Sequence, residues 1–206
     1  MKRALTIERY LLVALPVLLV SLPAALFAGP GAATTTPIPV LNPQFNLDVL
    51  PCSPGGNCNQ YGITGWVTGP QTFVMKASTA QYPGAPSTGL YVAAIGSSSC
   101  TGSIMQTLAA TVQANTTYTL QLSVGAREDE VYTGYLGSIM AGNVTLASGS
   151  LPTPVGGTFI TDIITYNSGP TPAQLGQPLQ ILIKSMGTGQ VNIAHVAMFA
   201  TPAAEF

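Results

Sequence analysis

Charge is the scarcest property of this chain. Of 206 residues, six are Lys or Arg and seven are Asp or Glu, 6% in all, against roughly 25% in an ordinary soluble domain. With no basic run there is almost nothing to neutralise phosphates, so nucleic-acid binding is excluded. One histidine and three cysteines are too few for a zinc site of the finger or ribbon kind. No Gly-x-Ser-x-Gly elbow occurs, which sets aside a serine hydrolase of that type. No dozen residues beyond the N-terminus hold a 3.6 period, so a helical body is not expected. Disorder is equally excluded, because 47% of residues are hydrophobic and the net charge is −1.

What is present begins with a targeting pattern. Lys2, Arg3 and Arg9 precede an uncharged apolar stretch from Tyr10 to Ala28, closed by Gly29-Pro30-Gly31. That order predicts a helical secretory signal peptide over 1–28; an uncleaved signal anchor is the alternative, since the stretch is just long enough to span. Either puts the rest outside the cytoplasm, secreted or at the cell surface, touching membrane only through this segment. Residues 29–38 read as a flexible leader, 39–202 as one β-sandwich domain and 203–206 as a tail. Three cysteines allow three pairings. Cys52 and Cys58 bracket the turn-rich Ser53–Asn57, which favours a Cys52–Cys58 disulfide in an oxidising compartment. Cys100 is then a buried thiol or a link to another chain.

Past residue 39 the chain is built of short β-branched and aromatic runs punctuated by Gly, Pro, Asn and Ser. In Thr117–Val124, Tyr118, Leu120, Leu122 and Val124 alternate with Thr119, Gln121 and Ser123, the period of a half-buried strand. Similar runs at 40–47, 65–68, 72–76, 90–95, 103–108, 135–140, 144–147, 159–164, 179–184 and from 191 predict about ten strands. The expected fold is all-β, an antiparallel sandwich.

The ordered segments Asn42-Pro-Gln-Phe45, Gly62-Ile-Thr-Gly-Trp66, Leu90-Tyr-Val-Ala-Ala-Ile-Gly96, Ser103–Leu108, Ala114–Leu120 with Val124–Arg127, and Gly189–Ile193 resemble the secreted galactose-binding-like jelly rolls of bacteria. The same pattern resembles the hapalindole-type (Stig) cyclases, calcium-dependent enzymes on a carbohydrate-binding-module scaffold. The resemblance runs from about 39 to 201 and implies a jelly roll. Members open with Asn-x-x-Phe-Glu, whose Glu helps hold a structural calcium. They close with Phe-Asp-Asn-Val, whose Asp serves the metal site or, in the cyclases, acid catalysis. Here Asn46 replaces that Glu, and Ile193-Ala194-His195-Val196 stands where the closing motif does. Calcium takes six to eight oxygens, carboxylates among them, so no cofactor is expected beyond a weakened calcium site.

Few residues can carry chemistry. His195 suits acid–base work by its ordinary pKa, or is a solvent-facing structural residue. Arg127 precedes Glu128-Asp129-Glu130; in an extended segment Glu128 and Glu130 point the same way and could hold a cation, the alternative being a solvated loop. Trp66, Tyr61, Tyr91, Tyr132 and Tyr135 are candidates for stacking on a sugar. Trp66 has a core role as its rival, and Tyr132 and Tyr135 are expected to be exposed beside the acidic loop. Asn115 and Asn143 head N-glycosylation sequons. The function expected from missing catalytic groups is a secreted, non-catalytic module binding glycan or another neutral ligand through Arg127, Glu128, Glu130, Tyr132, Tyr135, Trp66 and Tyr91. Its alternatives are a self-associating surface, matrix or filament subunit, and a calcium-dependent cyclase-like enzyme with His195 or Glu128 as proton donor.

Overall fold

A computed structural model describes residues 33–54 and 58–204; the expected signal helix lies outside them. Every regular element among them is a strand, and the strands form two antiparallel sheets. In chain order they are β1 (Thr36–Ile38), β2 (Asn59–Tyr61), β3 (Val67–Thr68), β4 (Thr72–Ala77), β5 (Leu90–Ile95), β6 (Ser103–Thr111), β7 (Thr116–Ala126), β8 (Tyr135–Ala141), β9 (Val144–Gly149), β10 (Thr158–Asn167), β11 (Pro178–Ser185) and β12 (Val191–Pro202). The larger sheet runs β10-β7-β12-β5-β4-β2, with β1 on the far half of β12; the smaller runs β3-β6-β11-β8-β9. The all-β sandwich is as expected.

The alternation seen in the sequence is what joins the sheets. Tyr118, Leu120, Leu122 and Val124 of β7 turn inward and meet Leu179, Ile181 and Ile183 of β11 in one core. Burying each such side chain contributes roughly 1.5–3 kcal/mol. The run at 40–47 departs from expectation, forming turns rather than a strand. Asn42 and Phe45 sit at φ 50° and 59°, a region that breaks a ladder. The reason is a polar knot. Asn42 Nδ2 donates to Asp48 Oδ2 (3.1 Å) and Thr64 O (2.9 Å), and Thr64 N donates to Asp48 Oδ2 (3.0 Å). Trp66 Nε1 donates to Asn42 O (3.3 Å) while its ring packs 5.8 Å from that of Phe45. Thr36–Ile38, inside the stretch read as leader, pairs with Met198–Ala200.

The larger sheet is buried on part of its outer face too, which is why all of Val92–Ile95 is buried. A second apolar cluster of Met75, Ala77, Tyr82, Val92 and Ala94 lies there, where Tyr82 is carried by the Ser78–Gly89 loop. Gly125 makes this layer possible. A Cβ there would stand 2.4–2.9 Å from ring carbons of Phe159, so only glycine lets that ring lie flat across β7.

Candidate functional site

Two concavities share the outer face of the larger sheet, with Leu90 on the wall of both. The first has a volume of about 490 Å³ and is walled by Tyr82, Pro83, Ala85, Leu90, Gly157 and Phe159, within the range of small-molecule sites. Tyr82 and Phe159 stack with centroids 4.4 Å apart. The one ionisable side chain on its wall besides the Tyr82 phenol is Glu128. Backbone geometry puts Glu128 there: its N–H donates to Gln81 O (3.3 Å) at the root of the loop that carries Tyr82. Gly157, at φ 72°, leaves the space its side chain occupies; a Cβ would come within 2.9 Å of Glu128 Oε1.

The second concavity, about 410 Å³, is lined by Gln44, Asn46, Tyr91, Ala194 and His195. The β12–β7 register slips between Ile193 and His195, and such a bulge re-aims side chains; Ala194 and His195 both reach this wall. Tyr91 is anchored by accepting Leu50 N–H at its hydroxyl (3.1 Å).

The other sequence candidates separate. Trp66 is in the core, 7% exposed. Tyr135, expected at the surface, is 1% exposed because it opens β8 between the sheets, donating its hydroxyl to buried Asp162 Oδ2 (2.6 Å) and accepting Leu151 N–H (3.2 Å). Burial first, then the Asp162 contact, push its phenol well up. Tyr132 is half-buried against the same core with its hydroxyl unpaired. Burial, aided by the Asp162 charge, pushes it up to about 12. Arg127 is held away from the cavity by a bidentate pair with Asp129 (2.7 and 2.7 Å) and by donating to Gln190 Oε1 (3.0 Å). The hydrogen bonds from Arg127 lower the Asp129 carboxyl below its ordinary value. Glu130 is partly buried and lines neither concavity. Tyr61 is exposed at the β2 edge, edge-on to Phe73. Asn115 and Asn143 occupy positive φ, 50° and 68°, which accounts for asparagine at those turns without glycosylation. Sequence reasoning missed Tyr82, Phe159 and Asn192, residues of the outer face.

Fold and site together define a jelly-roll sandwich of the kind shared with the Stig cyclases. The chain belongs to the HpiC1-like family: the profile of that family, described as HpiC1 cyclase, matches residues 36–199. Among solved structures it is similar to the Stig cyclase Fisc from Fischerella sp. TAU, solved with (3Z)-3-(1-methyl-2-pyrrolidinylidene)-3H-indole. The TM-score is 0.71 at 23% identity, covering 82% of this chain and 100% of that one. It is also similar to a cyclase from the same organism solved with 4-(1H-indol-3-yl)butan-2-one, TM-score 0.69 at 24% identity, covering 82% and 98%. At these identities the likeness shows the fold. No curated protein matches the chain. Family membership overturns the expectation of a non-catalytic glycan-binding module. The loss of the acids at the opening and closing motifs, where Asn46 and Ala194 stand, does not take the chain out of the cyclase family.

Calcium does not fit this chain's residues. The positions of the family's two carboxylates hold Asn46 and Ala194, on a wall with Gln44 and His195 and no acid. The nearest carboxylate in sequence, Asp48, has both oxygens committed to the knot with Asn42 and Thr64. Among the described residues no three His, Cys, Asp or Glu side chains converge on a metal position. The expected result is a melting temperature that moves by less than about 1 °C between millimolar Ca²⁺ and a chelator, since a ligand stabilises only as far as it binds the folded state. A shift of several degrees would contradict this assignment.

Cys52 and Cys58 form the expected disulfide, Cα–Cα 5.6 Å, which points to an oxidising environment. Cys100 is the free thiol among the described residues.

Proposed function

We propose that the protein is an exported, metal-independent cyclase-like enzyme that closes a ring on an apolar substrate by proton transfer, in the first cavity, with Glu128 as the acid. The observation that carries this reading is one carboxyl on the wall of an otherwise apolar cavity floored by a stacked aromatic pair. The ligands of the two Fischerella cyclases both carry an indole-type ring, which supports an indole-type aromatic substrate; ring closure by proton transfer further requires that it bear an alkene.

The chemistry needs no redox partner. Glu128 transfers its proton to one carbon of an alkene, leaving a carbocation on the other. A π-bond of the same molecule attacks that centre, forming a C–C bond and moving the positive charge onto the ring. Loss of a ring proton to the Glu128 carboxylate restores the π-system and the acid, so the product is an isomer of the substrate. The half-buried Phe159 ring, backed by Tyr82, stabilises the cation by its quadrupole, an effect of up to about 2 kcal/mol when desolvated.

The test is incubation of the purified protein with a panel of alkenyl-substituted indoles in D₂O. The expected product has one deuterium and otherwise the substrate's composition. Absence of any isomerised product across the panel, or a product without deuterium, would overturn the proposal.

A further inference from the structure

A buried carboxamide lies beneath the same face. Along β12, Val191 and Ile193 turn into the core, so Asn192 between them turns outward. Its neighbours across the ladder are Ala94 and Gly125, the two smallest side chains available. Phe159 lies over Gly125 and Tyr82 stacks on Phe159, so the loop that carries Tyr82 forms a roof that closes over Asn192. Asn192 is 1% exposed, and neither Nδ2 nor Oδ1 has a hydrogen-bond partner in the protein. The Tyr82 hydroxyl lies beside it, near enough for the carboxamide to pull its phenol slightly down against the effect of burial, but the two do not meet in hydrogen-bonding geometry. Buried polar groups are paired in the large majority of cases, and each exception calls for a reason.

We infer that Asn192 reads a lactam, or another cis-amide, on the apolar ligand of this site when the Ser78–Gly89 loop lifts and withdraws Tyr82. The inference deepens the proposed function and rests on its choice of site: with Tyr82 withdrawn, the Phe159 ring remains to face the same ligand. A carboxamide presents a donor and an acceptor along one edge. A cis-amide presents the complementary pair along one edge as well, so the two close a ring of two hydrogen bonds. A trans-amide places its N–H and C=O on opposite sides and satisfies only one. A charged ligand is disfavoured, because the nearest cation, Arg127, is already neutralised by Asp129.

The roof is built to move as a piece. Its backbone bonds are mostly internal, from Tyr82 N to Ser78 O (3.0 Å), Ala85 N to Tyr82 O (2.8 Å) and Gly89 N to Pro86 O (2.8 Å). Among the described residues a single backbone bond, Glu128 N to Gln81 O at 3.3 Å, ties the stretch between its two ends to the body. Segments with few anchors open at the low end of a protein's range of local stabilities.

The experiment compares 2-quinolinone, a flat aromatic lactam, with its N-methyl derivative by calorimetric titration of the full chain, as wild type, Asn192→Leu and Glu128→Gln. Expected are binding of 2-quinolinone to wild type and Glu128→Gln alike, and at least tenfold weaker binding of the N-methyl compound. Asn192→Leu is expected to melt no lower than wild type, since it deletes unpaired polar atoms, while binding 2-quinolinone at least tenfold more weakly. Equal affinity for the two compounds, no binding of either, or a destabilised Asn192→Leu with unchanged affinity would each overturn the inference. The comparison of the two compounds on wild type holds even where the variant does not fold. Asn192-dependent lactam binding without deuterium-labelled product means the cyclase reading has failed and this one has not; turnover without lactam binding means the reverse.

Discussion

Replacing Glu128 with Gln is expected to lower turnover by about 10²–10⁴-fold, the ordinary contribution of a positioned general acid, with the melting temperature unchanged. Gln keeps the length and shape of the side chain and the backbone bond to Gln81, but has no proton to give. The side chain is exposed and makes no hydrogen bond that its loss would leave unpaired among the described residues, so stability has little reason to change. A hundredfold loss corresponds to about 2.7 kcal/mol of transition-state stabilisation, more than removal of a surface charge accounts for. Two controls separate chemistry from charge. Glu130→Gln removes the same charge two residues away and outside the cavity, and His195→Ala removes the other sequence candidate, which lines the neighbouring concavity. Both are expected to stay within about twofold of wild type. Single-turnover rates on all three variants decide the matter. A Glu128→Gln enzyme within threefold of wild type, or a His195→Ala enzyme down a hundredfold, moves the acid elsewhere.

The fold was legible because its determinants are local and periodic. The alternation in Thr117–Val124 needs only eight residues to declare which side is core, and β7 buries the side that the pattern marks. The segments around Asn42 and Trp66 were recognisable for a physical reason that surfaced only in three dimensions: each supplies half of the Asn42–Asp48–Thr64 knot. The site was less legible because it is assembled from residues of β5 and β10 and of the three loops that carry Tyr82, Glu128 and Gly157. Glu128 was a visible candidate. Its companions Tyr82 and Phe159 are 77 positions apart in the chain and meet only because Gly125 gives up its side chain. Tyr135 was misplaced for the same reason. Its neighbours in sequence are a polar loop, but its partner is Asp162, 27 residues on. Asn192 left no trace, since a polar residue between Val191 and Ile193 is the ordinary alternation of a strand with one face in solvent.

Above pH 10 the fold is expected to lose about 3 kcal/mol of stability for each further pH unit, a dependence that comes from tyrosines and not from its few carboxylates. Tyr82 and Tyr135 are each 1% exposed. Burial raises both phenols far above the ordinary value, in Tyr135 with help from the Asp162 carboxylate and in Tyr82 against a small opposing pull from Asn192. In the unfolded chain each phenol loses its proton near pH 10, whereas in the folded protein it keeps it. The unfolded state therefore binds fewer protons throughout this window, and stability falls as pH rises. The contribution is complete below pH 10 and is lost progressively as pH climbs toward the raised folded values. Two such groups give about 1.4 kcal/mol each per unit, and half-buried Tyr132, pushed up to about 12, adds a smaller share. A domain near the lower end of ordinary stability, about 5 kcal/mol, then unfolds near pH 12. Phenolate absorbance and the far-ultraviolet β signal, followed together in an alkaline titration, are expected to show these phenols ionising only as the sheets melt. Tyr82→Phe supplies the internal check. It deletes an unpaired hydroxyl, so the variant is expected to be no less stable at neutral pH. It also takes one proton out of the slope, leaving it near half its original steepness; a variant with the full slope, or a wild type whose buried phenols ionise with the sheets intact, would remove the buried tyrosines as the cause.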